Sequence, residues 1–142
     1  MSVKQISIFL ENKSGELSEV CNVLAAEEIS LRAMSLADTS DYGILRIIVP
    51  DAKAAAAALR GAGYVCKITD VLAVEIPDRP GGMQNVLTTL WAAQIGVDYA
   101  YAFLSHKENA AHIILRTSDI VEAAAALNAA GIHTLDSEEL LG

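Results

Sequence analysis

Polar and apolar residues alternate from Val3 to Leu10, with Val3, Ile6, Ile8 and Leu10 marking a β-strand. A polar turn over 11–15 follows, in which Ser14 stands where a helix N-cap is expected. The period then changes: Leu17, Val20, Cys21 and Leu24 fall at i, i+3, i+4 and i+7, the apolar stripe of a helix ending near Glu28. Residues 29–37 (ISLRAMSLA) return to period two, residues 38–43 (DTSDYG) read as a hairpin turn, and 44–49 (ILRIIV) as the next strand. Pro50 and Asp51 stop that strand and open an alanine-rich helix, which Gly61 and Gly63 end. Residues 64–70 (YVCKITD) supply a fourth strand.

The same succession then runs again. A strand over 71–76 leads to a helix from about Gly82 to Ala93, where Met83, Val86, Leu87 and Leu90 repeat the stripe and Trp91, one turn after Leu87, reads as core. Strands over 97–103 and 111–117 flank a hairpin around 105–109, a helix covers 119–130, and a short strand covers 132–135. The tail over 136–142 fits either a helical turn or an extension. The repetition extends to residue identity. Asp51–Gly63 (DAKAAAAALRGAG) closely matches Asp119–Gly131 (DIVEAAAALNAAG) at an offset of 68, and 12–17 (NKSGEL) corresponds to 78–83 (DRPGGM) at an offset of 66. The two-residue slip falls between 38–43 and 104–111, where a hairpin loop absorbs an insertion at little cost.

The predicted fold class is therefore α+β: two ferredoxin-like βαββαβ modules, residues 1–70 and 71–142, each an antiparallel sheet with two helices on one face. No linker separates them, which predicts tight docking, and an interface between repeats is a natural place for a small ligand. The runs Ala55–Ala58 and Ala123–Ala126 combine high helix propensity with little bulk, and predict helices lying close on the sheets with Leu59 and Leu127 as anchors.

Composition narrows the function. The chain is 53% hydrophobic, with a mean hydropathy of +0.36, but much of this is alanine. No apolar run approaches the roughly 20 residues that span a bilayer, and the N-terminal residues do not form an export signal. A cytoplasmic protein without membrane contact is expected. A net charge of −8 argues against nucleic acid as partner. Cys21 and Cys66 read as isolated small hydrophobes, and His106, His112 and His133 lack metal-ligand spacing, so neither a metal nor a cofactor is expected. Nor is there a Ser-His-Asp arrangement, GxSxG elbow, P-loop or GxGxxG turn, so the chain does not read as an enzyme.

The chemistry concentrates in the first strand-to-helix turn of each repeat. A glycine there lets a ligand approach the backbone, and the free N–H groups at a helix start attract an anion such as an α-carboxylate. Asn12 and Asp78 occupy the same turn position and suit an α-ammonium. These turns, N-K-S-G-E-L and D-R-P-G-G-M, resemble the polar-x-Pro/Ser-Gly-x-Leu hallmark of ACT domains, regulatory modules that bind amino acids. The resemblance covers nearly the whole chain and is to small stand-alone tandem ACT proteins of bacteria. It implies an amino-acid effector held between modules, and a site comprising Asn12, Lys13, Ser14, Gly15, Glu16 and Leu17 in one copy and Asp78, Arg79, Gly81, Gly82 and Met83 in the other.

The copies depart from the family pattern differently. Ser14 stands where many ACT turns have proline, while the second copy keeps Pro80, adds Gly82 and lacks the DTSDYG hairpin, so the two sites are not expected to be equivalent. Gly15 and Gly81 serve either a ligand or simply the turn. Asp38 and Asp41 suit a polar ligand rim or a solvated hairpin. Tyr99 and Tyr101, at i and i+2, share a strand face and either line a pocket or pack against a neighbour. The expected function is a regulatory protein that binds a free amino acid, forms a homodimer through open sheet edges and signals to a partner enzyme of amino-acid metabolism. The alternatives are a ligand-free dimerisation or interaction module, and a regulatory-subunit-like partner of a biosynthetic enzyme.

Overall fold

A computed structural model describes residues 2–11, 13–38, 41–103 and 107–141, Asp38 through its backbone only. They group into two compact units, Lys4–Thr69 and, with Ser2 and Val3, the residues from Asp70 on.

The first unit contains β1 (Val3–Glu11), α1 (Glu16–Ala26), β2 (Ala33–Asp38), β3 (Tyr42–Ile48), α2 (Ala52–Gly61) and the start of β4 (Val65–Pro77). Strand β3 runs antiparallel to both neighbours, pairing Ile6 of β1 with its Ile47 and Ala33 of β2 with its Ile48, in the order β2-β3-β1-β4. The period-two pattern sends Ile6, Ile8, Leu10, Leu45 and Ile47 to one face. Val20 and Leu24 of α1 and Ala55, Ala56 and Leu59 of α2 close over them, and Cys66 and Ile68 join the same core.

The second unit repeats this plan with the rest of β4, α3 (Gly82–Ala92), β5 (Val97–Phe103), β6 (Ala110–Thr117), α4 (Ile120–Ala129), β7 (Thr134–Leu135) and α5 (Ser137–Leu141). Among the described residues β4 runs antiparallel to β6 and β7, and β5 to β6. Leu72, Val74, Ile76 and Leu115 form the sheet side of its core, and Val86, Leu90, Ala123, Ala124 and Leu127 the helix side. The fold is α+β, with two ferredoxin-like modules.

The duplication reaches individual hydrogen bonds. Asp51 caps α2 by accepting from Ala54 N at 3.1 Å, and Asp119 caps α4 by accepting from Glu122 N at 2.9 Å. Helix α1 ends with Ile29 N donating to Leu24 O at 2.9 Å, and α3 with Ile95 N donating to Leu90 O at 2.9 Å. The alanine helices lie on their sheets through Leu59 and Leu127 as expected, both fully buried.

Several expectations need correction. The strands over 64–70 and 71–76 are one continuous strand, β4, with no glycine or proline between Val65 and Ile76 to break it. Residues 29–32 precede β2 rather than belonging to it, and β7 is only two residues long. Of the two forms open to the tail it takes the helical one, α5, with Asp136 accepting from Glu139 N at 2.8 Å and Leu140 buried. Ser14 does not cap α1: the N-cap is Gly15, and no side chain bonds there. Trp91 is not core but 81% exposed. Val86 and Leu90 form the buried i, i+4 row of α3, while Leu87 and Trp91 form the next row around the helix, turned towards solvent.

Candidate functional site

The first-repeat turn is built on a left-handed residue. Gly15 has φ 87° and ψ −6°, a conformation costly for residues with a Cβ, and its carbonyl accepts the first bond of α1 from Glu19 N at 2.9 Å. No side chain caps α1, so its leading N–H groups have no side-chain acceptor at the turn. Lys13 N donates to Glu11 O at 2.9 Å, which tightens the chain into the glycine.

Around this turn sits a polar cluster. Lys13 Nζ lies 3.1 Å from Glu11 Oε2, and Tyr64 Oη donates to Glu16 Oε2 at 3.2 Å, joining the start of α1 to the residue before β4. The hydrogen bond to Glu11, then the charges of Glu11 and Glu16, hold the Lys13 ammonium above its ordinary value. Tyr64 is also raised, first by burial and then by the charge of Glu16 beside it. Two clefts flank the cluster and share Glu11, Lys13 and Glu16. One, of about 250 Å³, continues over Leu10, Leu17, Leu36 and Gly43. The other, of about 380 Å³, runs past Phe9 and Tyr64.

Of the residues expected here, Lys13, Glu16 and Leu17 line a common cleft beside Gly15, with Ser14 exposed next to them. Asn12 lies outside the described residues, as do Thr39 and Ser40 of the hairpin. The Asp38 backbone pairs with Gly43 at the rim of the smaller cleft, and its side chain is not described. Glu11 and Tyr64 were not singled out from the sequence. The signal was present in the repeat itself: they correspond to Pro77 and Ile132, so the two copies differ in polarity at both places.

The second-repeat turn has the same backbone and different side chains. Gly81 adopts φ 89° and ψ −9°, its carbonyl accepts from Asn85 N at 3.1 Å, and Arg79 N donates to Pro77 O at 2.9 Å. Asp78 and Arg79 are exposed, and Met83 is half-buried against the core. Gly82, the counterpart of Glu16, is buried, and a Cβ there would meet Pro77 O at 2.5 Å. Gly82 therefore has a packing reason to be glycine. Tyr99 and Tyr101 are half-buried on β5 with ring centroids 6.4 Å apart and nearly parallel, so each packs on the other.

The polar cluster of the second unit lies on its sheet instead. Lys107 Nζ reaches both oxygens of Glu75, at 3.0 and 3.2 Å, and buried His112 donates from Nε2 to Glu75 Oε1 at 3.2 Å. The Lys107 bond holds Glu75 below the usual carboxylate range against the opposing effect of burial, and the His112 bond adds to it. Among the described residues no group of three or more His, Cys, Asp or Glu is placed to hold a metal ion, and no helix is long and apolar enough to cross a membrane.

Residues 1–140 match the family described as the ACT domain pair. The chain belongs to that family. As an ACT domain pair it is similar to a protein of known crystal structure from Bacteroides thetaiotaomicron, at 39% identity and a TM-score of 0.92, over 99% of this chain and 96% of that one. The regulatory subunit of aspartate kinase from Thermus thermophilus shares the fold at 17% identity and a TM-score of 0.69, over 90% of each chain. The corresponding subunit from Thermus flavus does so at 17% identity and a TM-score of 0.63, over 90% of this chain and 92% of that one. No curated protein matches the chain significantly. ACT domains are regulatory domains, which typically bind amino-acid effectors and regulate enzymes.

Proposed function

We propose that this ACT domain pair is a cytoplasmic regulatory protein, not an enzyme, that binds a free amino acid at the Gly15 turn of its first unit. The observation that carries this reading is the uncapped start of α1, opening at Gly15 beside a cleft of about 250 Å³ whose rim holds Glu11, Lys13 and Glu16. A zwitterion matches a rim of both signs: its carboxylate suits the helix N–H groups and Lys13, its ammonium suits Glu16. The second turn keeps the backbone but has Gly82 in place of Glu16, which supports one effective site per chain. Binding acts on a partner enzyme of amino-acid metabolism by favouring one of two states of this protein, and only a difference in affinity between those states can do so. Sheet edges at β2 and β5 support a homodimer.

A thermal-shift screen of the purified protein against the twenty amino acids tests the reading. An effector at 100-fold over its Kd adds about 2.7 kcal/mol of stability, and the shift is absent in a folded Gly15→Val variant. A flat screen at millimolar concentrations overturns it and favours a ligand-free interaction module, the reading supported by the exposed row of Leu87 and Trp91 on α3.

A further inference from the structure

The smaller cleft beside Gly15 is divided by chemistry. Its charged groups, Glu11, Lys13 and Glu16, stand together at the turn, and Tyr64 already engages one oxygen of Glu16. Its remaining side chains are all leucine: Leu10 from β1, Leu17 from the first turn of α1 and Leu36 from β2, with Gly43 of β3 contributing no side chain. A ligand whose charged end occupies the turn extends the rest of itself over hydrocarbon. At about 250 Å³ the cleft falls just below the roughly 300–1,000 Å³ usual for drug-sized ligands, a size suited to a single amino acid. The larger neighbouring cleft offers a mostly polar surface, with Phe9, Tyr64 and Val65 in place of the leucines.

The geometry points to a neutral amino acid with an aliphatic side chain as the ligand of this cleft, with Leu36 as a specificity-determining residue. This rests on the proposed function and deepens it. A charged or hydroxylated side chain laid on Leu10, Leu17 and Leu36 loses water and gains no partner there, whereas a branched hydrocarbon gains contact. Members of the aliphatic class differ only by methylenes, which such a surface separates weakly, so several of them bind within about a hundredfold of one another.

The test is calorimetric titration of the intact protein with alanine, valine, leucine, isoleucine, threonine, lysine and aspartate, repeated on Leu36→Asn and Gly15→Val. Leu36 is half exposed on a strand edge, so its replacement leaves the core intact. The expected result is binding by the aliphatic members, weakened about tenfold in Leu36→Asn and lost in Gly15→Val. Binding led by threonine, lysine or aspartate and lost in Gly15→Val overturns the aliphatic assignment while leaving the proposed function standing. Aliphatic binding that Leu36→Asn leaves unchanged overturns the role of Leu36 and of this cleft. No binding by any of the seven overturns the aliphatic assignment, and the proposed function itself falls only if the screen of all twenty amino acids is flat as well.

Discussion

The turns at Gly15 and Gly81 share one backbone and diverge in almost every side chain. Both glycines are left-handed helix caps whose φ and ψ agree within a few degrees, and both are preceded by the same tight bond two residues apart in sequence. Yet Glu11, Glu16 and Tyr64 of the first repeat are replaced by Pro77, Gly82 and Ile132 at the corresponding positions of the second. The polar groups of the first turn bond across it, whereas the second closes on itself, with Gly82 N donating to Arg79 O at 3.2 Å and Pro77 O filling the space a Cβ would need. Backbone geometry is thus what the fold requires of this turn, and side chains are what a ligand requires. A duplicated module keeps the former in both copies and is free to keep the latter in one.

The sharpest test of that division is Gly82→Ala. Its Cβ falls 2.5 Å from a backbone oxygen, so the turn must shift. A loss of about 2–3 kcal/mol is expected in urea unfolding, with no change in ligand affinity; a neutral result would mean the second turn is as open as the first. Next is Glu75→Gln, which removes the charge that Lys107 and His112 share. A cost of about 1.5–2 kcal/mol is expected, with hydrogen exchange accelerated in the second unit and unchanged in the first. Because the folded protein holds Glu75 below its ordinary value, this contribution is complete above the unfolded-state pKa and is lost as pH falls through the folded one. The Gln variant should therefore lose less stability on acidification than the parent.

Gly15→Ala and Gly81→Ala come third. Nothing lies within 4 Å of either added Cβ, so only the left-handed conformation opposes them. Each should cost about 1–2 kcal/mol, and the two should agree; amino-acid affinity should fall in Gly15→Ala alone. Equal losses of affinity would restore equivalence to the two sites. The smallest effects belong to the paired helix caps, where Asp51→Ala and Asp119→Ala should each cost about 1 kcal/mol. A large disparity between them would show that the repeats differ in their scaffolds as well as in their turns.

Much of this was legible in the sequence because it is local. The stripe of Leu17, Val20 and Leu24, the opening of α2 at Asp51 and the alanine faces depend on residues a few positions apart. What escaped is either non-local or angular. The bond from Tyr64 to Glu16 spans 48 residues and requires the topology. Trp91 reads as core and lies exposed because residues 87 and 91 lie one step around α3 from the buried pair 86 and 90, a difference that an i, i+4 count does not resolve. Ser14 is the best capping residue of its turn by type, yet the left-handed backbone moves the cap to Gly15. Gly82 looked like part of a binding loop, and only the position of Pro77 O reveals its packing role.

The exposed Trp91 has a practical consequence. It is the sole indole in the chain, and it sits on the second unit already in contact with water. Its emission in the folded protein should lie close to that of the unfolded chain, making intrinsic fluorescence a poor gauge of denaturation. The same placement makes it a sensitive optical reporter of any molecule that comes to cover α3, with a blue shift that needs no added dye.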